Sequence, residues 1–455
     1  RSPMTMPKSS LSEFDWKCQP QAAMRIDQWT EEFVRDNRFV ANLQTRMLAE
    51  TGTRLSDWLD HISLPFSVET ESLLSQSGFQ LRHEPGDAIW QHPDGLFPDV
   101  VLGSFSKRRL TIQVESVVDF LVAHRVTNPI QGRPYSSLRL ACVSETESTE
   151  FWVAERHGDV GFKPSESAEI NVDAILTHQE AFLLRQRDFA SDEEGFAHAS
   201  ELVAAAKVDL GQDRTCDLFF AAERRYWESR NQAARVQKSR QDELGLGWAN
   251  HDHHTYRSSR KHFTRLISLL EQLGFQCRER FYGGAEAGWG AQVLEQPATG
   301  VVIFADVDLT AEEVSGDFAH EPLPPRDQLG TVGLWCKLHG EAVLQAGMHH
   351  LECQFDFDAA RTQLAERGIQ TMAPFTDFDF LKQAFTQGEM WPVADGRIEQ
   401  AANEGVITAE QAERFRKSGS IGSHLEILQR DDGYKGFNQT GINEIIRKTD
   451  PRYAR

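Results

Sequence analysis

The chain has 455 residues, of which 40% are hydrophobic and 25% are charged, a composition typical of globular proteins with two or three domains. Its 68 acidic and 48 basic residues give a formal net charge of −20, which disfavours nucleic acid and anionic membranes as partners. No apolar run reaches the roughly 18 residues that a membrane-spanning helix requires.

The six cysteines occur singly and form no CxxC pair, which disfavours zinc ribbons and dithiol redox centres. The sequence also lacks a secretory signal pattern, so the free thiols predict a cytoplasmic location. Nothing in the sequence indicates the oligomeric state. The 16 histidines are the first chemical clue, because several of them are adjacent.

Three segments precede the part of the chain that carries most of the adjacent histidines. Residues 1–53 are predicted to be helical, since apolar side chains recur at helical spacing between Ile26 and Glu50. Residues 54–165 alternate short β-type runs with Gly, Pro and Ser turns, which predicts a β-rich domain. Residues 166–247 have a helical pattern and are predicted to form a connector.

Residues 248–455 repeat one order of elements and are predicted to form the catalytic, metal-binding domain. The first copy has a strand at 253–257, a helix at 261–273 and strands at 275–281, 289–295 and 301–307. The second has a strand at 349–355, a helix at 358–367, a short strand at 369–372 and a last strand at 423–430, with an insertion at 375–420. Both copies are therefore interpreted as βαβββ units.

Tandem βαβββ units resemble the vicinal-oxygen-chelate folds, whose paired modules enclose a metal ion. The predicted fold class is α+β, with two such modules in the C-terminal half and a mixed α/β N-terminal domain. Residues 54–120, which run from Asp60-His61 through Gly78-Phe79 to a strand around Glu115, leave two alternatives open. They form either a degenerate third module or a β-rich unit of another kind.

Metal ligands in these folds come from the first and last strands of a module. His253, His350 and Glu426 occupy such positions, and two imidazoles with one carboxylate form the facial triad of non-haem Fe(II) oxygenases. Glu352 shares a strand face with His350 and is a second candidate carboxylate. The last strand of the first unit is apolar where a fourth ligand would lie, which favours three ligands, although Asp306 and Asp308 follow closely.

Strand periodicity extends the candidate site to two arginines. Arg257 follows His253 by four residues and Arg430 follows Glu426 by four, so each should share the face of its ligand in a regular strand. Two guanidiniums near one metal predict an acidic substrate, since arginine binds carboxylates bidentately. Pairing of Arg257 with an acidic neighbour is the alternative.

Strict alternation within the first strand also assigns its other residues to faces. It places His251 and Thr255 with His253, and it places Asp252 with His254 on the opposite face. Near the end of the chain, Gly436-Phe437-Asn438 and Gly441 form either a lid over the site or a C-terminal wrap around the domain.

Four segments resemble the 2-oxoadipate dioxygenase/decarboxylase (hydroxyglutarate synthase) family. Asp252-His-His-Thr-Tyr-Arg-Ser258 resembles its Asp-His-x-x-Phe-Arg segment, Met348-His-His-Leu351 its Leu-Asn-His segment, and Ser423-His-Leu-Glu426 with Arg430 its Ser-Tyr-x-Glu-x-x-x-Arg strand. The tail from Arg430-Asp-Asp-Gly-Tyr434 to Arg447 is similar to that family's ending. The resemblance covers about 250–447.

The resemblance implies that His253, His350 and Glu426 bind iron and that Arg257 binds a substrate carboxylate. Two departures leave the substrate open. Some 250 residues precede the first ligand, which falls early in the family, and His254 and Thr255 stand where the family has apolar residues.

The predicted function is an Fe(II)-dependent dioxygenase that acts on a small 2-oxo acid and O₂, with oxidative decarboxylation and hydroxylation. The enzyme alternatives are an extradiol ring-cleaving dioxygenase and a glyoxalase-like isomerase of the same fold. A non-catalytic binding protein of that fold is the alternative from another class.

Overall fold

The computed structural model describes residues 15–83, 87–439 and 442–453, so the first 14 residues of the predicted helical segment lie outside the described ranges. Helices α1–α15 are, in chain order, Pro20–Asp36, Arg38–Arg46, Val68–Gln76, Val117–Ala123, Val172–Leu183, Asp192–Leu210, Gln212–Ser229, Gln232–Glu243, Phe263–Gln272, Ala311–Val314, Thr331–His339, Phe357–Glu366, Asp395–Asn403, Ala409–Ser418 and Asn443–Thr449. Among the described residues, no helix is both long enough and apolar enough to cross a membrane.

Strands β1–β17 are Leu59–Pro65, Gln80–His83, Ala88–Gln91, Asp99–Gly103, Arg108–Gln113, Ile130–Gln131, Leu138–Glu145, Thr149–Arg156, His251–Arg257, Gln276–Tyr282, Trp289–Glu295, Val302–Asp308, His350–Gln354, Thr376–Phe378, Leu381–Phe385, Glu389–Trp391 and Ser420–Arg430. The first sheet has the order β2-β3-β4-β1-β5-β8-β7-β6. The second has the order β10-β11-β12-β9-β13-β17-β15-β14, with β16 paired to β17.

Both sheets have one topology. Each sheet divides into two half-sheets, and in each of them the strand that comes first in the chain pairs in parallel with the strand that comes last. The two half-sheets meet through their first strands, which pair antiparallel: β1 with β5, and β9 with β13. Each half-sheet adds a helix after its first strand, which completes a βαβββ module. The predicted α+β fold class with tandem βαβββ modules in the C-terminal half is confirmed.

The N-terminal half contains two modules where the sequence suggested at most one. β1-α3-β2-β3-β4 is the first, and β5-α4-β6-β7-β8 is the second. The second module gave no sequence signal because α4 has seven residues and β6 only two, too few to establish a periodicity.

The predicted strand at 369–372 is wrong. Among the described residues this segment forms only an isolated bridge between Thr371 and Thr386. Pro374 cannot donate a ladder hydrogen bond, and regular pairing begins after it, at β14. The second and third strands of the last module, β14 and β15, therefore lie inside the segment that the sequence indicated as an insertion.

Helices α5 to α8 cover one face of the second sheet. Phe220 of α7 packs edge-on against Tyr256 of β9 and Phe275, and all three side chains are buried. This face belongs to the largest hydrophobic core of the protein. The opposite face, which carries His253, is left to line a cavity.

His157 joins the first sheet to the helical layer. Its imidazole lies 2.8 Å from Glu155 Oε1 on β8 and 2.9 Å from Asp217 Oδ2 on α7. Burial disfavours the charged imidazole, but the carboxylates of Asp217 and Glu155 more than offset it and raise the pKa of His157 to about 9.

This raised pKa predicts a pH-dependent stability. The contribution of His157 is complete below its unfolded pKa of about 6.5 and is lost as the pH rises through about 9. We expect wild type to exceed His157→Gln in free energy of unfolding by about 3 kcal/mol at pH 6 and by much less at pH 10. Urea unfolding at both pH values measures the difference, with His198→Gln, at a partly exposed histidine of α6, as control. An equal difference at the two pH values contradicts the expectation.

Candidate metal centre

A β-bulge in β9 shapes the site. His253 pairs with Glu352 of β13 and His251 pairs with Cys353, so Asp252 is an extra residue without a partner in the ladder. His251 consequently lies on the side of His254, with ring centroids 5.1 Å apart. The strict alternation predicted from the sequence is therefore wrong at His251 and Asp252, because the bulge reverses the alternation there.

Four side chains converge on the cavity face of the second sheet. His253, Glu352 and Glu426 form a row across β9, β13 and β17, since Glu352 pairs directly with both of the others. His350 lies two residues before Glu352 on the same face. One potential ligand atom from each residue lies within 4.8 Å of the other three, and all four side chains are buried. The structure brings the three predicted ligands together and adds Glu352.

The electrostatics of this cluster suit a divalent cation. Burial and the adjacent Glu426 carboxylate raise the pKa of Glu352 well above its usual range, and burial raises that of Glu426. Glu352 Oε2 lies 2.9 Å from His253 Nε2, yet neither oxygen of Glu352 has a well-aligned hydrogen bond among the described residues. A cation among these four groups would offset the cost of two adjacent buried carboxylates. The donor set therefore fits a metal ion.

Asp252 and Arg430 orient the imidazole of His253. The bulge places Asp252 Oδ2 3.2 Å from His253 Nδ1, which leaves Nε2 directed at the cluster. Arg430 donates to both oxygens of Asp252, at 2.9 and 3.1 Å, and to the carbonyls of Tyr434 and Gly436. Its donors are thus directed away from the cavity. We assign the Arg430 guanidinium to Asp252 rather than to the substrate carboxylate that the sequence suggested.

Asp252→Asn should weaken metal binding without removing a ligand. Outer-shell partners of a ligating histidine typically change metal affinity by roughly 10- to 100-fold, and we expect a loss in that range. Competition with a chromophoric chelator measures the affinity, with the surface variant Asp317→Asn as control. Wild-type affinity in a folded Asp252→Asn protein would show that the carboxylate does not orient His253.

Arg257 lines the cavity and is electrostatically unlike Arg430. Its side chain is buried, its guanidinium lies 5.6 Å from the ring centroid of Trp335, and its Nε and Nη1 have no hydrogen bond within the described residues. Its register neighbour on β12 is Asp306. Burial raises the pKa of Asp306 to about 7 even though the charge of Arg257 opposes this rise. Arg257 therefore presents unsatisfied donors to the cavity beside a carboxyl group.

Neither carboxylate of the last strand of the first C-terminal module belongs to the four-residue cluster. Asp306 is absent from every described group of potential ligands. Asp308 instead accepts hydrogen bonds from the backbone N–H groups of Gly330, Val332 and Gly333 at the start of α11. The fourth potential ligand, Glu352, thus comes from β13. The sequence offered it as an alternative by strand parity.

Aromatic rings surround the cavity, which has a volume of about 80 Å³. Its aromatic lining comprises Phe281, Trp289, Phe304, Phe375, Phe385 and Phe437. The Phe437 ring packs edge-on against His253 and Phe304, with centroids 5.4 and 4.5 Å apart. The described part of the segment 436–441 therefore forms a wall of the cavity, whereas Gly441 lies outside the described residues.

A second group of potential ligands adjoins the first. His349 and His424 each place a ring nitrogen within 4.8 Å of His350 and of one another. His349 Nδ1 is bonded to the carbonyl of Gly422, and the group contains no carboxylate. It is the weaker candidate for a divalent ion because it supplies no negative charge.

Comparison with known proteins gives fold neighbours at low similarity. No family model matches the sequence, and no curated protein matches it. A mutant of 4-hydroxymandelate synthase from Streptomyces coelicolor is 11% identical over 86% of this chain and 96% of its own, with a TM-score of 0.26. Methylmalonyl-CoA epimerase from Mycobacterium tuberculosis is 12% identical over 40% of this chain and 88% of its own, with a TM-score of 0.24.

A third neighbour is the uncharacterized protein YdcJ from Shigella flexneri, which includes domain DUF1338. It is 13% identical over 58% of this chain and 74% of its own, with a TM-score of 0.24. All three are proteins of the vicinal-oxygen-chelate fold. At these identities and TM-scores the likeness carries no inference about reaction or substrate.

Proposed function

We propose that this protein is a metal-dependent enzyme that acts on a small acidic molecule. The observation that carries the proposal is that Arg257 lies in the same cavity as the four-residue cluster, with its Nε and Nη1 lacking hydrogen bonds within the described part of the chain. A buried guanidinium is costly unless a carboxylate pairs with it. Aromatic rings in the cavity lining lower its local polarity, which would strengthen such a pair.

We propose that His253, His350 and Glu426 hold the ion, with Glu352 as a further ligand or as a hydrogen-bonding group beside it. The metal that we propose is Fe(II), because two imidazoles and a carboxylate are its usual ligands in oxygenases. Iron bound there would supply the redox chemistry that O₂ requires. The protein supplies orientation, through Asp252 on His253, and through Gln383, which donates to Glu426 Oε1 at 3.0 Å.

The substrate class that we propose is a 2-oxo acid. Its neighbouring keto and carboxylate oxygens suit a divalent ion, and a carboxylate of the substrate suits the planar donor edge of Arg257. Oxidative decarboxylation with O₂ as oxidant would release CO₂ and leave an acid one carbon shorter. One oxygen atom of O₂ would enter its new carboxyl group and the other would become a hydroxyl group on the same product. Arg257 would fix the substrate's orientation, and the ring of Phe437 would shield His253 from solvent.

A metal-dependent isomerase is the second candidate, and Glu352 is the observation that favours it. Four protein ligands leave fewer open positions on an ion than three do, and an isomerase has no O₂ to accommodate. In that case zinc could replace iron, since no redox step occurs.

Anaerobic reconstitution separates these functions. We expect protein loaded with Fe(II) to consume O₂ and release CO₂ with a member of a panel of 2-oxo mono- and dicarboxylic acids, and zinc-loaded protein to be inactive. Turnover with zinc under anaerobic conditions, seen as exchange of solvent deuterium into the acid, would favour the isomerase. Failure to retain stoichiometric metal would favour a binding protein of this fold.

A further inference from the structure

The arrangement of side chains that orients His253 in the second sheet occurs again in the first sheet. In β1, Leu59 pairs with Ile112 and His61 with Thr111, so Asp60 is a bulged residue as Asp252 is in β9. Asp60 Oδ2 lies 2.5 Å from His61 Nδ1. Arg156, the last residue of β8, donates to both oxygens of Asp60 at 2.7 and 2.8 Å. Asp60, His61 and Arg156 thus reproduce the arrangement of Asp252, His253 and Arg430.

The strand registers extend this correspondence to the positions of the potential metal ligands. Across β1, β5 and β8 the row is His61, Thr111 and Trp152, where the second sheet has His253, Glu352 and Glu426. Arg109 precedes Thr111 by two residues, as His350 precedes Glu352. Among the described residues, none of the first sheet belongs to a group of potential metal ligands. The oriented histidine is retained, and the other three positions carry groups that do not bind a metal.

These replacements leave a cavity of about 390 Å³, which is larger than that of the metal centre. We call it the N-terminal cavity; its lining includes His61, Arg109, Thr111, Trp152 and Phe162. His61 and Thr111 are buried, and Thr111 Oγ1 lies 3.4 Å from His61 Nε2. Because Asp60 engages Nδ1, the other imidazole nitrogen is directed toward Thr111 and the cavity.

Arg109 forms the cationic wall of the N-terminal cavity. Its guanidinium lies 4.8 Å from the ring centroid of Phe105 and 5.4 Å from that of Trp152. Its Nε lies 2.6 Å from Glu150 Oε2, which holds one edge. No hydrogen bond of its two terminal nitrogens occurs among the described residues. A guanidinium fixed in this way presents a planar pair of donors, the geometry that a carboxylate fits.

We propose that the N-terminal cavity is a second, metal-independent binding site for a small aromatic or apolar carboxylate. The carboxylate binds the terminal nitrogens of Arg109, and the ligand's body packs against Trp152 and Phe162. Lys163 and Asp87 also line the cavity and form an ion pair at 2.8 Å, so together they add no net charge to the wall. The partly buried Asp60–Arg156 pair holds His61 toward the ligand, as the Asp252–Arg430 pair holds His253 toward the cluster.

The probes are benzoate and phenylacetate, with benzyl alcohol as the uncharged comparison. Isothermal titration of the full chain, both as purified and after chelator treatment, should show saturable binding of a carboxylate probe that survives metal removal. Arg109→Gln should weaken that binding at least about 10-fold, as expected for the loss of a bidentate charge-assisted contact. Arg108→Gln removes the neighbouring arginine of β5, which is partly exposed and pairs with Asp36 and Glu32 instead, and it should bind like wild type.

Trp152→Phe supplies an independent readout, because the probe should quench the fluorescence of wild type and lose part of this effect in the variant. Thr111→Val provides a second test in the cavity floor if Arg109→Gln unfolds, and it should weaken binding by a few-fold. Absence of saturable binding of both carboxylates in the millimolar range would overturn the proposal. Binding that is lost in Arg257→Gln or on chelation, and kept in Arg109→Gln, would overturn it as well.

Discussion

Alanine at His253, His350 or Glu426 should leave the purified protein with less than about a tenth of the metal that wild type retains. Each residue is buried and contributes one of four ligand atoms within 4.8 Å of one another, so alanine at any of the three positions removes a donor from the set. The loss should exceed the roughly 10- to 100-fold change in affinity expected of an outer-shell residue. Elemental analysis after dialysis against Fe(II) or Zn(II) at a fixed free concentration measures it.

His198→Ala is the matched control, because His198 of α6 belongs to none of the described groups of potential metal ligands and does not line the cavity. It should retain wild-type metal. If the three cluster variants also retain wild-type metal and remain folded, the ion is bound elsewhere.

Glu352→Gln should shift the melting temperature in opposite directions in the metal-free and the metal-loaded protein. In the metal-free protein, removal of one of two adjacent buried carboxylates should raise the melting temperature, because it relieves like-charge repulsion and desolvation. In the metal-loaded protein the same change should lower the melting temperature, since a ligand or its partner is lost. Equal shifts in both states would show that Glu352 does not take part in metal binding.

Arg257→Ala should reduce kcat/KM for the best acid substrate by about 30- to 1000-fold, which corresponds to about 2–4 kcal/mol for a buried bidentate contact. Two guanidinium donors in the cavity have no hydrogen bond to any described residue, and their burial would make a carboxylate partner strongly stabilising. Arg257→Lys should recover little activity, because an ammonium cannot reproduce the planar pair of donors.

Two controls make the Arg257 result interpretable. Metal content is measured in parallel, so that loss of the ion is separated from loss of the substrate contact. Arg265→Ala removes an exposed arginine of α9 and should leave kcat/KM unchanged. A change in kcat/KM below about threefold in metal-loaded Arg257→Ala would exclude a bidentate contact between Arg257 and the substrate. It would also remove most of the support for an acidic substrate.

The sequence predicted the regular parts of the second sheet closely. The strand expected at 289–295 is β11, and the strands expected at 275–281 and 301–307 differ from β10 and β12 by one residue at each end. Apolar runs bounded by glycine turns carry this information locally. The short strands of the last module were misplaced, because three to five residues among many phenylalanines define no clear period.

The bulge at Asp252 explains why the two arginines could not be told apart from the sequence. Both follow a candidate ligand by four residues, but an extra residue in β9 places Asp252 beside the imidazole of His253, where Arg430 binds it. Among the described residues, no carboxylate forms an ion pair of this kind with Arg257. One inserted residue leaves no signal in the pattern of a strand, so this assignment required the register between strands.

The repeated Asp-His pair was visible in the sequence, at Asp60-His61 and at Asp252-His253, but its meaning was not. The arginines that complete each arrangement lie 96 and 178 residues further along the chain. Only the pairing of β8 with β5 and of β17 with β13 brings them to the bulged aspartates.

Anomalous diffraction from crystals of the protein loaded with iron or cobalt tests the central claim most directly. The account predicts one strong peak on the cavity face of the second sheet, about 2.0–2.2 Å from His253 Nε2, His350 Nε2 and a carboxylate oxygen of Glu426. It also predicts no peak in the N-terminal cavity. A fully loaded protein whose only peak lies among His349, His350 and His424, or away from the second sheet, would contradict the account.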